Sequence, residues 1–477
     1  MRKSIALALC SLAMPMAAHA APQLIAVGTL SGTEDKSGLT GLLENGIDHQ
    51  NVLGGTGSGF AYAGGNTFLG LVDRGPNATA YAGGAAVDNT QSYIARFHTM
   101  TMQPTANGGP GLPYLLTPQL DATTLFFSGT PLAYGNVLGN GAPAQNDATH
   151  YYFTGRSDGY DPTKTSTFAG NARFDPEGIR VSNDGKSIFV SDEYGPYIKQ
   201  FDRATGELIK TFALPANLAI ANQAPVEKGA TGEIAINTSG RTTNKGMEGL
   251  AITPDGKTLV GIMQAALIQD AKAAKKLLRI VTVDVDTGAT HEYAYKLGDG
   301  SGVSEIVALN DHQFLVDERD GAGLGGDPAG NPFVKRLYLI DIAGATDITA
   351  MDGATALTHA VTKSASPFLD VGTALISALG ITANQVPSKI EGLAFGYDID
   401  GMHTLWVTND NDYLEGASGP NKFYVFGFTD ADLRAAGFGP FVAQQGVPEP
   451  ASWALMIGGF ALAGAAMRRR KATVRFA

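Results

Sequence analysis

The residues of greatest chemical promise are acids that recur at matching points of a repeated phrase. Asp175-Pro176-Glu177-Gly178-Ile179 precedes an Asn183-Asp184-Gly185 turn and then Phe189-Val190-Ser191-Asp192-Glu193-Tyr194-Gly195. Glu248-Gly249-Leu250 precedes Pro254-Asp255-Gly256 and the apolar run Leu259–Met263. Glu391-Gly392-Leu393 runs through a Gly401 turn into Leu405-Trp406-Val407-Thr408-Asn409-Asp410. Each phrase reads as two short apolar strands about a tight turn, and its return at long intervals marks an array of like β-units. In a closed ring of such units, equivalent points face the same way. One set of converging residues is then Glu177, Glu248, Glu305 and Glu391, at strand starts. The other is Asp73-Arg74, Asp192-Glu193, Asp317-Glu318-Arg319 and Asn409-Asp410-Asn411-Asp412.

Clustered carboxylates repel one another and need a counter-charge. A hard cation such as Ca²⁺, which takes roughly six to eight oxygen ligands, supplies it. Asp73, Asp192, Glu193, Asp317, Glu318 and Asp410 are the expected ligands. Glu177, Glu248 and Glu391 would position water or act as base. Arg74, Arg319 and Lys389 stand beside these acids, where they can pair with them or meet an anionic substrate such as a phosphate ester. The competing use of Asp/Glu-Gly pairs is in turns and strand caps, and it applies to every position named. Gly155-Arg156-Ser157-Asp158-Gly159 has the Gly-x-Ser-x-Gly spacing, but His49, His98, His150, His291, His312, His359 and His403 form no pattern with a serine, so a serine triad is not supported. Gly108-Gly109-Pro110-Gly111 lacks a following Lys-Ser/Thr, so no nucleotide loop is supported.

The elements that must carry these residues are strands. Runs that alternate, or are short and apolar, cover Leu24–Leu30, Gly59–Ala63, Thr67–Asp73, Tyr93–His98, Ile179–Val181, Ser187–Ser191, Tyr197–Asp202 and Leu208–Ala213. They continue through Leu250–Thr253, Thr258–Met263, Arg279–Asp284, His291–Lys296, Glu305–Leu309, Gln313–Glu318, Arg336–Asp341, Ile390–Phe395, Thr404–Asn409 and Lys422–Phe428. Units begin near Gly59, Glu177, Glu248, Ser304 and Glu391. The long Gly59-to-Glu177 interval leaves room for an irregular one around Tyr151-Tyr152-Phe153 and Arg156–Asp161. The expected fold is an all-β propeller of about six four-stranded blades. Leu24–Leu30 and Lys422–Phe428 are candidates to close its ring. Short helices are expected at Ala271–Leu278 and Ala374–Leu379.

The chain ends are of another kind. Arg2-Lys3, the apolar Ile5–Met16 and Ala18-His19-Ala20 read as a secretory leader over residues 1–20, too short to span a bilayer, which takes about 20 apolar residues. Val447-Pro448-Glu449-Pro450 leads into apolar Ala451–Met467 and then Arg468-Arg469-Arg470-Lys471. A hydrophobic segment ended by cations inserts with those cations in the cytoplasm. The expected organisation is a leader at 1–20, a propeller at 21–429, a linker at 430–446, and a sorting tail with one hydrophobic helix at 447–477. Without the leader's two cations and the tail's five cations and one acid, the core carries a formal charge of −17. That argues against nucleic acid or an anionic membrane surface as partner. The single cysteine, Cys10, lies in the leader, so the core has neither disulfide nor thiolate chemistry. The core is expected to be a monomer.

Two resemblances follow. The Val-Pro-Glu-Pro motif, helix and Arg cluster closely resemble the PEP-CTERM sorting signal of Gram-negative bacteria. This implies an exosortase-type membrane protease as partner, transient membrane insertion, and release to the envelope surface or matrix. The motifs Arg156–Asp161, Asp175–Ile179, Ser191–Tyr197, Asn244–Leu250, Asp317–Asp320, Lys389–Leu393 and Asn409–Asp412 together resemble the phytase-like (esterase-like phytase) family. That resemblance implies an exported β-propeller and, more loosely, phosphoesterase activity. The sequence is read as a Ca²⁺-dependent hydrolase of phosphate esters. The alternatives are a non-catalytic Ca²⁺-stabilised propeller binding matrix polysaccharide or protein, and a propeller lactonase or carboxyl esterase.

Overall fold

The computed structural model describes residues 22–445 apart from 78–79, 82–83, 86–89, 136–140, 158–160, 162, 224–231 and 331–332. The leader, the sorting tail and part of the Arg156–Asp161 motif lie outside these residues.

Among the described residues, four four-stranded antiparallel sheets and one five-stranded sheet form the architecture. Blade I runs Gly59–Tyr62, Thr67–Leu71, Arg96–Thr101 and Gln119–Leu125. Blade II runs Pro176–Val181, Ser187–Asp192, Tyr197–Asp202 and Leu208–Phe212. Blade III runs Met247–Ile252, Thr258–Met263, Leu277–Asp284 and Thr290–Lys296. Blade IV runs Gly302–Ala308, Gln313–Arg319 and Lys335–Asp341, with Thr362–Lys363 and Leu369–Asp370 sharing its outer edge. Blade V runs Ile390–Phe395, His403–Asn409 and Lys422–Phe428, and its outer strand is the N-terminal Gln23–Thr29. The pairing of Gln23–Thr29 with Lys422–Phe428 closes the ring as expected. The innermost strands neighbour one another in the order I, II, III, IV, V and back to I.

The ring has five blades, not six. The Gly59-to-Glu177 interval holds the rest of blade I, including the unforeseen strand Gln119–Leu125. Its other pairings are two-residue ladders, such as Phe127–Ser128 with Tyr151–Tyr152, too short to make a blade. The helix expected at Ala271–Leu278 is also misplaced. Only Ile268–Ala271 is helical, and Leu277 already opens a buried strand. The second expected helix is present as Val371–Leu379, capped by Asp370 accepting from Thr373 N and ended by Gly380 at φ 65°.

Glu-Gly recurs because the inner strands crowd together. A Cβ on Gly249 would lie 2.7 Å from Ile306 N of blade IV, and one on Gly178 would lie 2.7 Å from Leu250 N of blade III. A β-bulge at each of these points, in blades II to V, turns the preceding residue toward the end of the channel. The glycines thus serve packing, and the acids before them are aimed by the bulge. Every second strand runs back toward the same end, the upper face, where long insertions gather. The lower face carries tight turns such as Ser182–Lys186 and Thr253–Lys257, held by Asp184 and Asp255.

The segment expected to be a linker is folded against the ring. Helix Asp430–Ala435 carries a capping box from Thr429 and Asp432, and buried Leu433 and Phe438 join the core between blades IV and V. The chain then crosses the lower mouth of the channel. Gly439 N donates to Gln313 Oε1, Val442 N to Leu309 O and Gln445 N to Pro254 O. Gln444 Nε2 donates to Val181 O and Asn183 Oδ1, 2.7 Å each. Blades II, III and IV are therefore strapped together from below. Among the described residues no helix is long and apolar enough to cross a membrane.

Candidate functional site

The upper end of the channel gathers the acids that the bulges aim and those that end the second strands. Two groups stand out: Asp175 with Glu177 and Glu193, and Asp73 with Asp410 and Asp412. In each, carboxylate oxygens lie within 4.8 Å of one another.

The first group belongs to blade II and meets Arg74 of the blade I insertion and Gly246 ahead of blade III. Asp175 is 1% exposed. Its Oδ1 accepts from Arg74 N at 3.1 Å, and its Oδ2 lies 3.8 Å from Arg74 Nη1 without a hydrogen bond. Glu193 Oε1 accepts from Gly246 N, and Glu248 Oε1 from Gln264 Nε2 at 2.7 Å, while Glu248 Oε2 is buried without a partner. Burial, and then neighbouring carboxylates, push Glu177 and Glu193 well above the usual carboxylate range. Burial also raises Asp175 to about 7 against the pull of Arg74. Glu248 reaches about 7 through burial and then Glu391. These oxygens fit a hard cation: they are close-set, acidic, largely buried and incompletely hydrogen-bonded.

The second group is built differently, because it already contains a cation. Lys389 Nζ lies 2.9 Å from Asp410 Oδ2 and 2.5 Å from Asp412 Oδ1. These acids raise the Lys389 ammonium well above its ordinary range despite burial. Burial raises Asp410 to about 6, and burial followed by Asp410 raises Asp73 well above the usual carboxylate range. Asp412 and Tyr413 both take left-handed backbone, at φ 51° and 58°. Asn244, which accepts from Arg74, does the same at φ 51°. Non-glycine residues pay for such conformations, and they cluster at working sites.

Arg319 lies between Glu391 and Glu248. It donates from Nη2 to Glu391 Oε1 and from Nε to Ser304 Oγ, and lies 3.8 Å from Glu248 Oε1. Below it, Arg180 Nη2 is 3.0 Å from Glu305 Oε2 across the channel, while Nη1 donates to Phe60 O and Nη2 to Ile306 O. This pair floors the acidic pit. Beneath lies a cavity of about 260 Å³ lined by Phe60, Tyr62, Phe395 and Phe441, and the C-terminal strap closes it.

The predicted residues are thus only partly together. Asp73, Glu177, Glu193, Glu248, Glu391, Asp410, Arg74, Arg319 and Lys389 share the upper end. Asp192 does not, since Oδ1 accepts from Asp175 N at 2.7 Å and Oδ2 from Gly195 N at 2.6 Å, leaving a brace for the loop. Glu318 points the other way, because alternate strand residues face opposite sides. It accepts from Tyr295 Oη, Gly298 N and Lys363 Nζ, toward blade III. Asp317 is wholly buried in the wall near Arg319 and Glu391, raised by burial, with both oxygens unbonded. Glu305 is one register step from the ring acids. Ser304 holds the Glu177-equivalent place, and Glu305 Oε1 accepts from Leu250 N and Ile306 N. Asp175 and Asn244 were missed as site residues, though both lie inside the quoted motifs.

Among the described residues this is a five-bladed propeller with a largely buried acidic pit, floored by an ion pair and lined by three basic side chains. The chain belongs to the phytase-like family described as esterase-like activity of phytase, which it matches over residues 51–413. Residues 446–471 match the PEP-CTERM protein-sorting motif, which implies an exported, envelope-associated protein processed by an exosortase-type system. An uncharacterised secreted protein of Arthroderma benhamiae is 30% identical over 273 residues, 49% of this chain and 51% of that protein. The chain thus spans about half the length of this curated relative. The hydrazine synthase of Kuenenia stuttgartiensis overlaps 82% of each chain at 13% identity with a TM-score of 0.32, too distant to inform function.

Proposed function

We propose that the protein is an exported Ca²⁺-dependent esterase acting on phosphate monoesters at the upper end of the channel. The observation that carries this reading is the Asp175–Glu177–Glu193 group, whose buried oxygens lie within 4.8 Å of one another beside Arg74. Those three residues would hold the metal. Bound there, Ca²⁺ would polarise a phosphoryl oxygen and offset the acids' mutual repulsion. Glu248, next to Glu193, would orient or deprotonate the attacking water. Arg74 and Arg319, fixed by Asp175 and Glu391, would meet charge that develops on the phosphoryl oxygens. Asp192 serves as the brace of the Glu193 loop rather than as a ligand.

A second reading is favoured by the acid excess of the pit. Polyanions such as phytate would be repelled, whereas a neutral lactone or carboxyl ester would not. Incubating the mature protein with p-nitrophenyl phosphate, phytate and a neutral carboxyl ester, with Ca²⁺ or with EDTA, separates these readings. Ca²⁺-dependent phosphate release from the monoester supports the proposal. Turnover of the carboxyl ester alone replaces it with the second reading. No turnover, with a melting temperature that falls in EDTA, leaves a Ca²⁺-stabilised binding propeller.

A further inference from the structure

The strap at the lower mouth decides which way the site faces while the sorting tail is attached. Gln445 is tied to Pro254, and Gln444 to Val181 and Asn183, all at the lower ends of inner strands of blades II and III. The sorting motif begins at the next residue, 446. The tail's apolar stretch begins at Ala451, six Cα steps from Gln445. Six extended steps reach at most about 20 Å. Phe441 is packed against Phe395 and Phe428, with ring centroids 4.6 and 6.1 Å apart, which resists peeling of the strap.

We infer that the membrane-attached form holds the lower mouth against the bilayer and turns the acidic pit away from it. This rests on the sorting tail inserting in a membrane and is independent of the proposed esterase activity. Its consequences are two. Substrate reaches the pit from the outer side before and after processing, so tail cleavage is not needed to open the site. The surface that the sorting protease approaches is the lower face, with its turn aspartates Asp184, Asp255 and Asp311, and a protease docking there meets acidic side chains.

The test uses the full chain, with its leader removed by export, in vesicles carrying an acceptor dye on their lipid headgroups. The core has no cysteine, so single labels are clean. Lys257→Cys reports on a lower turn, and Ala417→Cys on the exposed upper helix Glu415–Ser418. Energy transfer to the lipid dye should be several-fold stronger from position 257 than from position 417. In a Phe441→Ala/Gln444→Ala background that frees the strap, the difference should shrink. Equal transfer from both positions, or stronger transfer from 417, in protein that floats with the vesicles overturns the orientation. Failure to float overturns the membrane reading of the tail, and the orientation with it.

Discussion

Lys389 places its ammonium 2.9 Å from Asp410, so one of the two acidic groups in the pit carries a cation supplied by the chain itself. Among the described residues the other group has no ammonium in contact; the Arg74 guanidinium stands 3.8 Å from Asp175. The difference predicts metal stoichiometry. Calorimetric titration with Ca²⁺ should give one tight site in the unaltered protein. Lys389→Met should add a second, through Asp73, Asp410 and Asp412. An unchanged count in a folded variant would remove Lys389 from this role.

The pit should make stability fall with pH. Asp175 and Glu248 rise from ordinary values of 3.8 and 4.5 to about 7, and Asp410 rises to about 6, all chiefly through burial. The folded state therefore binds more protons than the unfolded one between these limits. The associated stability is complete below about pH 4 and is lost as pH rises through 6 to 7. In EDTA the melting temperature should drop between about pH 5 and pH 8. Because Ca²⁺ binds the ionised form, its stabilising effect should grow over that same window. A Ca²⁺ effect that is flat with pH would disconnect the metal from these acids.

Arg180 and Glu305 form the floor, each buried, and removing one partner leaves a charge with nothing to balance it. Glu305→Ala should cost about 3–5 kcal/mol in urea unfolding, whereas Arg180→Met/Glu305→Leu together should cost less than the sum of the single changes. Additive losses would mean that the two residues are energetically unlinked.

Asp192 and Glu177 lie on neighbouring strands and should separate cleanly. Asp192→Asn keeps one acceptor but loses another at the Gly195 N–H, and should lower the melting temperature by several degrees with Ca²⁺ stoichiometry intact. Glu177→Gln should leave the EDTA melting temperature equal or higher, since it removes a repelled buried carboxylate, yet weaken Ca²⁺ binding at least tenfold. Reversed outcomes would exchange the roles of brace and ligand.

Much of this was legible in the sequence because propeller strands announce themselves locally. Leu405-Trp406-Val407 and Ile188-Phe189-Val190 are short apolar runs bounded by turn residues, and both are central strands. Glu177, Glu248 and Glu391 were placed by the repeat, and they do meet. What failed depended on side-chain direction or register. Glu318 follows Asp317 by one residue, and that step turns it to the opposite face. Glu305 follows the Ser304 bulge position, so its place resembles a ring acid only if the phrase is aligned on Glu rather than on the apolar residue before it. Gln119–Leu125 is half polar because it is an outer strand, and its pattern QLDATTL carries no core signal. The strap escaped notice because Gly437, Gly439 and Pro440 read as linker, whereas its hydrogen bonds to the lower turns come from the closed ring.

The most direct test of the whole account is phosphate release from p-nitrophenyl phosphate by the mature protein and its Glu177→Gln variant, with Ca²⁺ and with EDTA. Release should need Ca²⁺ and fall at least a hundredfold in the variant, while in EDTA the variant melts at the same temperature as the unaltered protein or higher. Release that persists in EDTA, or that Glu177→Gln leaves unchanged, would contradict a metal-dependent site in this pit.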